Sequence, residues 1–356
     1  MIIDKNLDPL VIGGTATLHM AMERLNRTPH IMQLVVDESG KLVGTITDGD
    51  IRRALLDGKG MDAVVSDCMR SDPLVGKSVE DSIALTSNLT GRLRCVPVVD
   101  QDGRPTEVVS DAGRSPGLET ALIMAGGFGR RLGGDTANTP KPLLPVAGQP
   151  ILRHLISDLE ENGVARILIA AHYLADQIKT FVETTPHRST IDILVEDEPL
   201  GTAGALSMLP DDVTGPLMVL NGDIITHTDF SAMALHHDSS GRDATIAATQ
   251  HEIKIPFGVV EYDESGMVNS IQEKPRYVPY VLAGIYVLGE SVYRNLPGTL
   301  PLDMPNLLQH AISQEQKVGV FPIHEYWMDL GSPEELKLAR NTGMKKATPP
   351  DSGGPY

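Results

Sequence analysis

The residues best placed to do chemistry lie in one stretch of the chain. An apolar run over residues 121–125 leads into Gly126-Gly127-Phe128-Gly129-Arg130-Arg131-Leu132, and Thr139-Pro140-Lys141-Pro142 follows shortly after. Glycines let backbone amides approach an anion closely. Arg131 and Lys141 add positive charge beside them, and the prolines are expected to hold Lys141 in an extended loop. The run matches neither the Rossmann dinucleotide fingerprint nor the Walker A loop. Two cations beside a Gly-rich loop, in a chain this acidic, point to a triphosphate site. Further on, Leu220-Asn221-Gly222-Asp223 ends an apolar run with a carboxylate. Taken alone, Asp223 reads as a turn cap.

The elements around these residues sort into two segments. Asp111-Ala112-Gly113-Arg114-Ser115-Pro116-Gly117 is rich in turn formers and reads as a linker. Before it, residues 1–115 carry an internal duplication, divided at about 66/67. The first copy holds a helix at 18–26, strands at 31–36 and 42–46, and a helix at 51–56 capped by Thr47-Asp48-Gly49-Asp50. The second copy repeats strands at 95–99 and 108–111. After the linker, residues 118–340 read as α/β. Strands are expected at 121–125, 166–171, 191–195, 217–221, 244–249, 258–262 and 281–287. Ile151, Leu152, Leu155, Ile156 and Leu159 recur at helical spacing, and residues 175–182 behave similarly. Such alternation implies a mainly parallel sheet with ligands at the carboxyl ends of its strands. Residues 341–356 read as a disordered tail.

The Gly-rich loop and the lysine segment together resemble the signature of the sugar-1-phosphate nucleotidyltransferases. Four more segments follow in that family's order: Glu198-Pro199-Leu200-Gly201-Thr202-Ala203-Gly204-Ala205, Leu220 to Asp223, Glu273-Lys274-Pro275, and Trp327-Met328-Asp329-Leu330-Gly331. The resemblance covers nearly all of 118–340 and implies a Rossmann-like, mainly parallel sheet of the nucleotidyltransferase type. It implies that Ala125, Gly126, Gly127, Gly129, Glu196, Gly201 and Thr202 hold the nucleotide. Gly258, Glu273 and Lys274 would face the sugar phosphate, and Asp223 and Asp329 would hold Mg²⁺. Arg131 would meet the α-phosphate and leaving pyrophosphate with Lys141 close by, while Lys274 steers the attacking oxygen. Two departures stand out. Gly133-Gly134-Asp135-Thr136 replaces a bulkier Pro-containing loop, and Leu282 stands where relatives often have a sugar-contacting Asn. Arg130, where the family has a small polar residue, reads as a solvated charge.

The front segment is similar to a tandem pair of CBS domains, through Gly44-Thr45-Ile46-Thr47-Asp48-Gly49-Asp50. That resemblance implies an adenine nucleotide held by Thr47 and Asp50. The second copy has Ser110 for the Thr but Gly113 where the Asp should stand. A helix cap in a dimerising module accounts for Thr47 and Asp50 equally well. The order of CBS pair and transferase resembles the glucosamine-1-phosphate guanylyltransferases of nonulosonic (legionaminic) acid pathways, which implies GTP and a hexosamine 1-phosphate. The alternatives are uridylyl, cytidylyl or thymidylyl transfer to another sugar phosphate, or a nucleotide-sensing regulatory protein without turnover.

Composition sets the outer bounds. The chain has 356 residues, 30 basic and 47 acidic side chains, and a formal charge of -17. Nucleic acid, which needs a basic stripe, is excluded as a partner. Only two cysteines, Cys68 and Cys95, are present, so no disulfide scaffold exists and reduced thiols are expected. No signal-peptide pattern and no run long enough to span a membrane is found, so a cytoplasmic protein without a membrane partner is expected; a homo-oligomer is a separate expectation. Aromatics at 4% leave the core to aliphatic residues and Met. His236 and His237 read as surface residues. No hexapeptide repeat is present, so a left-handed β-helix domain is excluded.

Overall fold

The computed structural model describes residues 1–25, 32–89, 93–112, 118–136, 138–298 and 300–342. The end of the expected first helix, the first residue of the strand after it, Gly113, most of the linker and the tail from 343 lie outside them. The chain forms two compact units. One contains Met1–Glu119 with Ser231–Gly241; the other holds the remaining described residues from Thr120 onward.

The front unit contains two three-stranded sheets. In one, Met32–Val36 lies between Val11–Gly13, parallel to it, and Leu42–Thr47, antiparallel. In the other, Pro105–Ala112 lies between Ile2–Asp4 and Leu93–Val99. Leu18, Ala21, Met22 and Leu25 are buried on one face of the helix Leu18–Leu25, the i, i+3, i+4, i+7 stripe of a helix against a core. The helix Asp48–Leu56 starts with a capping box. Thr47 Oγ1 accepts from the Asp50 amide at 3.2 Å, and Asp50 Oδ2 accepts from the Thr47 amide at 2.9 Å. Among the described residues, Pro105–Ala112 has no helix after it that corresponds to Asp48–Leu56, and the next strand starts at Thr120. Both cysteines are free thiols.

The second unit is built on a seven-stranded sheet: β1 (Thr120–Met124), β2 (Arg166–Ala171), β3 (Thr190–Val195), β4 (Leu217–Asn221), β5 (Ala244–Gln250), β6 (Tyr280–Leu288) and β7 (Val318–Pro322), in the order β3-β2-β1-β4-β6-β5-β7. Only β6 runs antiparallel to its neighbours. Buried strand side chains such as Leu122, Leu168 and Val219 pack with Leu206, Leu307 and Leu308 from the segments that cover the sheet. All five residues of the predicted apolar stripe on the helix Ile151–Glu161 are buried. The register places Met124 opposite both Ala170 and Asn221. The loops after β1, β2 and β4 therefore open at the same end of the sheet.

Two expectations change here. Residues 258–262 are not part of the main sheet. Val259–Tyr262 pairs only with Val268–Gln272, as a two-stranded ribbon. His237 is buried rather than a surface residue, because Phe230, Met233, Ala234 and His237 share the inward stripe of the helix Phe230–Ser239. Among the described residues no helix is long and apolar enough to cross a membrane.

Candidate active site

The loop after β1 lines a cleft of about 520 Å³. Ala125 donates its amide to Ala170 O, which holds the loop against β2 as the strand ends. One of its glycines is required by geometry and a second is tightly placed. Gly129 has φ +61, and a Cβ there would lie 2.8 Å from Thr136. At Gly126 a Cβ would come 3.1 Å from Glu196 Oε2. Gly127 faces open space, so its backbone is free to approach a ligand. Arg131 and Leu132 line the same cleft.

Two carboxylates distant in sequence meet here. Gly222 packs so tightly on the end of β1 that a Cβ would lie 2.7 Å from Met124 O, while its amide donates to that oxygen at 2.8 Å. Asp223 is thereby fixed beside the Gly-rich loop. The next residues, Ile224–Thr226, pair antiparallel with Trp327–Asp329, with Ile224 opposite Asp329. Lys141 stands between the two acids. Its Nζ donates to Asp223 Oδ2 at 2.5 Å and lies 4.0 Å from Asp329 Oδ1. Lys141 is not in an extended loop as expected: it begins a short 3-10 turn, Lys141–Leu143, that buries its side chain. Asp329 Oδ1 is buried and accepts no hydrogen bond among the described residues. Burial, with the Asp223 charge second, raises the Asp329 carboxyl above its ordinary range.

This donor set fits a hard divalent cation. Among the described residues no cluster of three or more His, Cys, Asp or Glu could hold a metal alone. Mg²⁺ needs no such cage, because it commonly binds one or two carboxylates and takes its other ligands from phosphates and water.

Glu196, Gly201 and Thr202 also line the cleft. Glu196 directly follows β3 and is buried, with Oε2 accepting from the Leu200 amide at 3.2 Å. Burial raises its carboxyl, partly opposed by that hydrogen bond. Gly201, at φ +85, lies so close to Leu302 O that a Cβ would sit 2.5 Å away. Thr202 Oγ1 accepts from Met304 N at 2.8 Å, and its own amide donates to Asp303 Oδ1 at 3.2 Å.

Ala125, Gly126, Gly127, Gly129, Arg131, Lys141, Glu196, Gly201, Thr202 and Asp223 all line this cleft; Asp329 reaches it through Lys141 and its neighbour Gly331. Gly258, Glu273 and Lys274 do not line it. They cluster at the base of the two-stranded ribbon, where Lys274 Nζ lies 3.8 Å from Glu273 Oε1 and both side chains are exposed. Phe128, Asn221 and Asp303 had no role in the sequence reading. Phe128 contacts the rings of His172 and Tyr173, Asn221 packs on Gly284, and Asp303 holds Thr202. Nothing in their local pattern announces these contacts, since each partner comes from another element.

The front unit has its own cleft, of about 550 Å³, lined in part by Thr45, Thr47, Asp50, Arg53 and Arg70. Thr47 and Asp50 therefore reach a pocket while serving as the helix cap.

Residues 120–345 match the nucleotidyl transferase family, and residues 4–57 match the CBS domain. The chain belongs to the nucleotidyl transferase family. It is 32% identical over 241 residues to the mannose-1-phosphate guanylyltransferase catalytic subunit beta of Drosophila pseudoobscura pseudoobscura, covering 66% of this chain and 63% of that one. The Xenopus tropicalis protein of the same name is 32% identical over 224 residues, covering 61% and 62%. The chain thus spans less than two thirds of these relatives' length. The crystal structure of HddC from Yersinia pseudotuberculosis matches with 28% identity and a TM-score of 0.50, covering 63% of this chain and 99% of that one. The CBS match covers the first repeat, which ends in the helix Asp48–Leu56.

Proposed function

We propose that this protein transfers a nucleoside monophosphate from a nucleoside triphosphate to a sugar 1-phosphate, releasing pyrophosphate, with GTP as the donor. The observation that carries the reading is the triad of Lys141, Asp223 and Asp329 beside a Gly-rich loop that opens onto the buried Glu196. The chemistry is an in-line displacement at the α-phosphorus by an oxygen of the sugar phosphate. That oxygen is already ionised, so no general base or covalent intermediate is required. Catalysis then consists of positioning and of neutralising phosphate charge. The amides of residues 126–129 face the phosphates, Arg131 meets the α-phosphate and the leaving pyrophosphate, and Lys141 adds a buried positive charge. Asp223 and Asp329 would hold Mg²⁺, which supplies electrostatic stabilisation of the phosphoryl charge.

Glu196 favours guanine. A carboxylate only accepts hydrogen bonds, and guanine presents two adjacent donors, N1–H and the 2-amino group, whereas uracil and thymine present one flanked by acceptors. The relatives named above are guanylyltransferases for mannose 1-phosphate. A hexosamine 1-phosphate remains the first choice of acceptor, with mannose 1-phosphate its competitor. Gly258, Glu273 and Lys274 would reach the acceptor from the ribbon. A panel of triphosphates against sugar 1-phosphates, read by pyrophosphate release, tests the reading. Mg²⁺-dependent release with GTP and a hexose-type phosphate is expected. Binding of GTP without release for any acceptor would favour a nucleotide-sensing protein instead.

In the front cleft the reading is an adenine nucleotide held at Thr47 and Asp50, with Arg53 and Arg70 supplying charge for its phosphates. Calorimetry of the full chain with AMP, ADP and ATP tests it, and no heat from any of them would refute it. The protein is expected to act in the cytoplasm.

A further inference from the structure

The ribbon of Val259–Tyr262 and Val268–Gln272 has one polar and one apolar face. Its register puts Val260 opposite Ile271 and Tyr262 opposite Val268. Val260 and Tyr262 share a face by alternation along their strand, opposing residues share a face, and the bulge between Glu261 and Tyr262 lets Val268 and Ile271, three residues apart, join them there. The other face carries Glu261 and Ser270, joined by a 2.7 Å hydrogen bond. Phe257 and Met267 stand at the two ends of the ribbon. All six apolar side chains are between 48% and 72% exposed. A two-stranded ribbon is marginal in water by itself and needs a further strand or a packing partner. Among the described residues this one pairs with no third strand.

We infer that the apolar face is an interface between two copies of this chain, packed about a two-fold axis. The amount of surface fits. At typical areas for these residue types, the four side chains of this face expose roughly 500 Å² per chain, so two copies packed on it would bury about 1,000 Å² in total, the lower bound for a specific interface. The distribution of charge also fits. A two-fold interface needs a patch complementary to itself. Here the acidic residues Asp263 and Glu264 lie at the ribbon tip, while Lys254 and Arg276 lie at its base beside Glu252. Two ribbons crossing antiparallel set each acidic tip near the partner's cations and keep the two tips apart. In a chain of charge -17, an uncharged face is where two copies approach with least repulsion. A sugar phosphate is a poor occupant, because its hydroxyls and phosphate would find no polar partner there.

The pairing has a consequence that rests on the proposed function. Gly258 immediately precedes the ribbon and Glu273 and Lys274 immediately follow it, so a partner that steadies the ribbon also steadies the groups offered to the acceptor.

The test is sedimentation of the full chain over a wide range of concentration, alongside the double variant Val260→Lys with Ile271→Lys. The wild type is expected to form dimers. The variant, with unchanged circular dichroism and melting temperature, should dissociate with a constant raised roughly 100-fold or more. A wild type that stays monomeric throughout, or a variant that associates as the wild type does, would overturn the inference. Amide exchange of the wild type gives a readout that needs no variant. Residues 259–272 should become more protected as concentration rises, and protection independent of concentration would count against the interface. Neither measurement depends on turnover, so failure here is distinguishable from failure of the transferase reading.

Discussion

Replacing Lys141 with Met keeps the length and packing of the side chain and removes its charge. In the structure that charge lies 2.5 Å from Asp223 Oδ2 and 4.0 Å from Asp329 Oδ1. A unit pair at 4 Å is worth about 4 kcal/mol at an effective dielectric constant of 20. Both carboxylates keep contact with water, at 32% and 46% side-chain exposure, and burying the ammonium has its own cost. The net loss of folding stability should therefore be ~1–3 kcal/mol. Without the ammonium the two acids face each other unscreened. Adding Asp223→Asn to Lys141→Met removes that repulsion, so the second change should cost less in the Met background than in the wild type, or should even stabilise it. Urea unfolding of the wild type, both single variants and the double variant in the presence of EDTA measures the coupling. Pyrophosphate release measures the second consequence, a fall in kcat of ~100-fold or more if this cation neutralises phosphate charge in the transition state. Strictly additive stabilities together with wild-type turnover would refute the placement of Lys141.

Three further outcomes are expected. Glu196→Gln keeps an acceptor for the Leu200 amide but turns one oxygen into a donor, so kcat/KM for GTP should fall ~10–100-fold while the values for UTP and dTTP change less; equal changes for every base would show that Glu196 does not read the base. Gly222→Ala drives a Cβ to 2.7 Å from the Met124 carbonyl, and overpacking against backbone should cost ~1–3 kcal/mol in urea unfolding; no loss would show that the end of β1 yields easily. Burial pushes the Asp158 carboxyl up to about 7, with Glu161 second. The folded state then holds a proton that the unfolded state releases, so stability from this group is present below the ordinary carboxylate range and is lost as pH rises toward 7. Asp158→Asn should accordingly stabilise the protein at pH 8 and do little at pH 4, which unfolding at the two pH values would show; an equal effect at both would refute it.

Patterns local to the chain were legible in the sequence. The strand expectations at 166–171 and 217–221 match β2 and β4, and the stripe on Ile151–Glu161 was readable because burial of one helix face imposes a period on the sequence itself. The cleft residues from Ala125 to Thr202 were legible for a related reason. A backbone that must approach a ligand or a carbonyl needs glycine, and glycine is visible in a sequence. The 258–262 strand was found but misassigned to the main sheet, since pairing partners are a property of the sheet and not of the strand.

By itself the sequence determined the two segments, the α/β alternation and the residue types available for phosphate chemistry. Tertiary structure decided where they meet. Asp223 and Asp329 come together only because Ile224–Thr226 pairs with Trp327–Asp329, a long-range hydrogen-bonded register that no local pattern encodes. Lys141 reads as a free cation in sequence and becomes the buried partner of both acids in the fold. Glu273 and Lys274 kept their sequence signature, yet the fold sets them at the base of the ribbon, outside the lining of the cleft. Side-chain chemistry is fixed residue by residue, while proximity is settled by the packing of distant elements against one another.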